Sequence, residues 1–146
     1  MIEFAIGVSI LTASFAGAFT YGYTFYRYNT LLNAVSAGAR YASLAQWDSV
    51  TQNASSTFET QIKNVVVYGN PNGGTEPVVA GLTTSNVVLT PITVRSGTST
   101  IYVPTHMRVS INGFSLSAIF QTITFNNKPR VEYPYQGLLT PVAGGN

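Results

Sequence analysis

Residues 1–23 run MIEFAIGVSILTASFAGAFTYGY, and the fold turns on whether this stretch is one helix and what its single carboxylate, Glu3, does there. From Phe4 to Tyr26 no side chain is charged. As a helix, an apolar run of that length crosses the roughly 30 Å hydrocarbon core of a bilayer. A secretory signal would have a basic start, a shorter apolar centre and a small-residue cleavage site ahead of unrelated sequence. Here the run passes without a break into FYRYNTLLNAVSAGARYASLAQW (25–47), where Leu31, Leu32, Val35, Tyr41 and Leu44 recur at helical spacing. No proline precedes Pro71, so nothing interrupts the helix. The expectation is a single helix from residue 2 to 45, about 65 Å long, whose second half stands clear of any bilayer.

Small side chains form a ribbon along this helix. Ala5, Ser9, Ala13 and Gly17 are spaced by four, and Ala34, Gly38 and Ala42 repeat the spacing further on. Such ribbons let helices approach closely where lipid removes any hydrophobic incentive to associate. The plainer alternative is that small residues are common in any membrane helix. Tyr21, Tyr23, Phe25, Tyr26 and Tyr28 cluster around Arg27, a composition suited to the boundary between lipid tails and water.

The remainder reads differently. The segment WDSVTQNASSTFETQIKNVVVYGNPNGG (47–74) predicts a second, shorter helix with Val50, Ala54, Phe58 and Ile62 on one face. Ser56 and Glu59 have capping-box spacing there, or lie inside the helix. NPNGG then closes the helical half. Beyond it, NVVLTPITV, TIYVPTHMRVSI, IFQTITF and RVEYPY read as strands, separated by Gly, Asn and Ser. Pro91, Pro104 and Pro134 cannot donate to a ladder, which assigns them to edge strands, bulges or strand ends. The fold class is α+β, with a long N-terminal hydrophobic helix packed on a small antiparallel sheet. Two units are expected, the helix over 1–45 and a globular head over 46–146.

Composition excludes several functions. Of the 146 residues only 8% are charged, where about 25% is usual, and Ser, Thr, Asn and Gly fill the polar positions. The net charge of +2 is spread without a basic run, so the phosphate-binding footprint of a nucleic-acid partner is absent. There is no cysteine, hence no thiolate chemistry. His106 is the only histidine, and Glu3, Asp48, Glu59, Glu76 and Glu132 are scattered without a paired motif. No enzyme, cofactor or metal site is expected, and His106 reads as a surface or strand side chain.

The opening Glu with its aromatic neighbour, the aromatic and Arg-containing FYRYN, and LLNAVSAGARYA together resemble the TadE-like pseudopilins of the tight-adherence (Flp/Tad) branch of the type IV pilus superfamily. The resemblance covers residues 1 to 45 closely and the RVSING and TITF strands loosely. It implies a pilin-like fold and a structural subunit that polymerises through its N-terminal helix into an extracellular, Tad-type filament for surface attachment. The alternatives are a minor initiating pseudopilin of pilus assembly and a monomeric membrane-anchored binding module. The implied partners are further copies of the chain, the inner membrane before assembly, a prepilin peptidase and the pilus assembly machinery. The implied location is the inner membrane as precursor, then the cell surface.

In that family the conserved Glu usually comes fifth in the mature chain, and here it is third. The offset implies that a leader and about two mature residues precede this sequence, or that processing differs. By the positive-inside tendency alone, Arg27 and Arg40 after the apolar run would place the head in the cytoplasm, whereas the family places it outside. The family also supplies a role for Glu3. Its carboxylate, desolvated at a cost of several kcal/mol in a filament core, pairs with the N-terminal amine of a neighbouring or the same subunit. The alternative is a bystander at the membrane surface.

Overall fold

Helix α1 runs unbroken from Ile2 to Ala42 in a computed structural model that describes residues 2–48, 53–95, 102–117 and 122–140. It ends three residues short of the expected boundary. The Leu44 and Ala45 amides bond back to the Tyr41 and Ala42 carbonyls, tightening the last turn, and the Trp47 amide is drawn instead to Leu138 O at 3.1 Å. Trp47–Asp48 (β1) then pairs antiparallel with Asn53–Ala54 (β2) and parallel with Leu139–Thr140 (β6), a small second sheet that local pattern did not predict.

Helix α2 spans Ser56–Tyr68, shorter than expected at its front, because Ala54 belongs to β2. Val50 lies outside the described residues. Ser55 is the N-cap, so Ser56 and Glu59 fall inside the helix and form no capping box; Glu59 instead pairs with Lys63 one turn on, at 2.7 Å. Gly69 closes α2 in the left-handed conformation (φ 71°), donating its amide to Val65 O.

The main sheet is antiparallel, β3 (Val87–Arg95), β4 (Tyr102–Ser117) and β5 (Thr122–Pro134), with β4 central. Two expected boundaries are corrected. The predicted strand ending at Ile111 continues to Ser117, because Gly113 takes a positive φ of 65° and forms a bulge where a turn would otherwise be read. The TITF part of IFQTITF and the RVEYP part of RVEYPY belong to a single strand, β5, since the Asn126–Pro129 stretch is accommodated as a second irregularity, with Asn127 at positive φ and a cis Lys128–Pro129 bond. Residues 118–121 lie outside the described residues. The prolines sit where a missing donor is tolerated: Pro91 on edge strand β3, Pro104 beside a bulge in the β3–β4 pairing, Pro134 at the end of β5.

Alternation divides the sheet. Val87, Met107, Val109, Ile111, Phe114 and Leu116 face a core completed by Leu31, Val35, Ala39 and Ala42 of α1 and Ile62, Val66 and Val67 of α2. The other face presents Thr90, His106, Arg108, Arg130 and Glu132 to solvent. The fold is α+β, a long N-terminal apolar helix on a small antiparallel sheet.

Candidate assembly surface

The front of α1 contributes nothing to this core. Phe4, Ile10, Phe15 and Phe19 are each more than 60% exposed, and the apolar side chains between them point to every side. This segment, Ile2 to Phe19, is roughly 27 Å long, close to the thickness of a bilayer's hydrocarbon core. A helix can enter lipid or an apolar bundle only if its polar groups are satisfied internally. That condition is met. Ser9, Thr12 and Ser14 donate their hydroxyls to the carbonyls of Ala5, Val8 and Ile10, four residues back, at 2.8 to 2.9 Å. Thr20, Thr24 and Thr30 continue the pattern. Sequence reading counted Ser9 only as a small side chain of the ribbon and gave the other hydroxyls no part; their i−4 bonding is the signal it missed.

The small-residue ribbon falls into two parts. Ala5, Ser9, Ala13 and Gly17 lie on the projecting half, and a Cβ built on Gly17 would meet nothing within 4 Å. Ala34, Gly38 and Ala42 are buried on the half that carries the head. There the close approach is made within the chain: a Cβ on Gly38 would overlap the Cγ2 of Val66 in α2. Both parts fall within the same arc of the helix, since Ala34 follows Ala5 by about eight full turns.

The aromatic cluster divides in the same way. Tyr21, Tyr23, Phe25 and Tyr26 are half or more exposed, whereas Tyr28 stacks on Phe125 of β5 at 5.7 Å, and Phe125 in turn on Phe114. Arg27 lies over the Tyr23 ring at 5.9 Å and donates to Ala80 O at 2.7 Å, tying α1 to the loop after α2. Tyr23, Tyr26, Thr30, Val78 and Val79 border a shallow groove of about 130 Å³ beside that tether. Glu3 is exposed in the first turn, where a carboxylate also complements the positive end of the helix dipole.

At the far end of α1 a hub locks the head. Tyr135 Oη donates to Ala45 O at 2.7 Å, with Leu138 O also within 3.0 Å, while the Gln136 amide bonds Ser43 O and Trp47 Nε1 bonds Tyr102 O. Burial pushes the Tyr135 hydroxyl above the usual tyrosine range, against a smaller lowering from the Trp47 backbone. These contacts tie the C-terminal segment to the exit of α1, and among the described residues the longest run of exposed large apolar side chains is the front of α1. His106 is exposed on β4.

Among known protein families, the model described as TadE-like protein matches residues 1–40, the projecting half of α1 and most of the half that carries the head. No curated protein and no solved structure matches the chain.

Proposed function

We propose that this chain is a structural subunit of an extracellular, Tad-type filament of the type IV pilus kind, held in the inner membrane by the front of α1 and then polymerised through it. The observation that carries this reading is the segment Ile2–Phe19: apolar on every side, satisfied in its own hydrogen bonds, and projecting from a head that needs nothing more to close its core. The TadE-like match over the same residues supports a place in a pilus assembly system. A segment of this kind has two environments that satisfy it, hydrocarbon and a bundle of like helices, so transfer from one to the other exposes no apolar surface to water. The reading takes a prepilin peptidase and the pilus assembly machinery as partners, and surface attachment as the purpose of the polymer.

Glu3 tests the reading because insertion and assembly make different demands on it. Insertion depends little on a carboxylate at the membrane edge, while docking in a low-dielectric bundle gains from its attraction to a neighbour's amine. Glu3→Ala is expected to yield protein held in the membrane fraction but poorly incorporated into surface filaments, and Glu3→Gln, which keeps the outline without the charge, to behave alike. Electron microscopy of sheared surface material and a membrane-fraction blot read the two steps. Wild-type filament yield from both variants would remove Glu3 from the assembly mechanism.

A further inference from the structure

Among the described residues, the head carries complementary charge without partners on two opposite sides. Among the described residues, Glu59 is paired with Lys63 and Glu132 with Arg108, at 2.7 and 2.6 Å. Glu76 and Arg130 are both exposed and make no ion pair or hydrogen bond among those residues. Of the four exposed charges left unmatched among the described residues, Arg40, Glu76, Lys128 and Arg130, Glu76 is the one anion.

Their placement is definite. Glu76 is in the loop between α2 and β3, which is held on the helix side of the head by Arg27 Nη2 on Ala80 O, by the Val78 amide on Val67 O, and by Val79 and Leu82 in the core. Arg130 is on the opposite, solvent face of the sheet. It lies across from Ser110 in register, one row from the Arg108–Glu132 pair, while its neighbour Val131 packs inward. Lys128 precedes it by two residues in the same strand and is also exposed. The remaining exposed cation without a partner among the described residues, Arg40, sits in the last turn of α1, where it complements the helix dipole.

We propose that Glu76 of one copy meets the Arg130 face of the next, so that the helix-side loop of each head docks on the sheet face of its neighbour. This contact rests on the filament reading and adds to it the surface through which heads recognise each other. Two different patches on opposite sides make a heterologous contact, which extends into an open polymer and does not close as a two-fold dimer. An exposed ion pair contributes little to affinity, so the buried helices hold the polymer and the charges set register and speed docking.

The absence of native cysteine permits a direct test. Full-length chain carrying both Glu76→Cys and Arg130→Cys is assembled, sheared from cells, oxidised with diamide and run without reductant. The expected result is a ladder of dimers, trimers and higher species, with neither single variant giving more than a dimer. Separately, Glu76→Arg is expected to lower filament yield about fivefold, the scale of one exposed pair, and Glu76→Arg with Arg130→Glu to restore it. Filaments visible by microscopy without a ladder, or a charge swap no better than its single variants, would overturn the contact while leaving the filament reading standing. Wild-type material that never forms filaments would overturn both.

Discussion

At Gly137 a single hydrogen atom decides whether the distal hub can form. A Cβ there would overlap Ala45 O and come within 2.6 Å of Tyr135 Oη, two of the atoms that tie the C-terminal segment to the exit of α1. Gly137→Ala is expected to cost about 1–3 kcal/mol, the usual scale of overpacking a filled site, seen as a lower melting temperature of the detergent-solubilised chain. Tyr135 gives the hub a pH dependence whose sign is determined. Because burial raises its hydroxyl above the ordinary value near 10, the protonated, hydrogen-bonded form is favoured in the folded head. Its stabilisation is complete below about pH 10 and is lost as pH rises through the raised value. Tyr135→Phe should therefore melt below wild type at neutral pH, with the gap narrowing above pH 10. A gap that stays constant to strong alkali would show that ionisation of Tyr135 is not coupled to folding.

At the scale of elements, α1 is one helix with two solvents. From Leu31 to Ala42 its buried face meets α2 and the sheet, and before Phe19 its large apolar side chains stay exposed, outside the core. Equivalent substitutions should then have opposite consequences along one ribbon. Gly38→Leu places a branched side chain into Val66 and should destabilise the head, by about 1–3 kcal/mol or more. Gly17→Leu enters open space and should leave head stability and membrane insertion unchanged while reducing filament yield. Thermal melting, membrane fractionation and microscopy of surface material separate the three readouts. Unchanged filaments from Gly17→Leu would mean that the front of the ribbon is incidental to packing.

For the whole molecule, the head should be self-sufficient. The core cluster begins at Leu31 and draws on no residue of Ile2–Phe19. A chain shortened to begin at Ala18, two residues before the buried Thr20, should be a water-soluble monomer by size-exclusion chromatography. It should melt within a few degrees of the intact chain in detergent. Loss of a cooperative transition would show that the projecting half supports the head in a way its exposure does not reveal.

The long helix was legible because its causes are local: an apolar period and no proline before Pro71. The α+β class followed from the change to β-branched runs after NPNGG. What the chain's local pattern left open was decided by contacts distant in sequence. Ala34, Gly38 and Ala42 share a spacing with Ala5 to Gly17, and only packing against distant segments, such as Val66 of α2 on Gly38, determines that one set is buried within the chain. Tyr28 differs from Tyr26 in composition not at all, yet Phe125 claims it. Asn112–Gly113 and Asn126–Pro129 carry turn-forming residues, but the β4–β5 pairing resumes beyond them, so the ladder runs through them as bulges. Periodicity specifies which face of an element is apolar, and tertiary packing alone specifies what covers it.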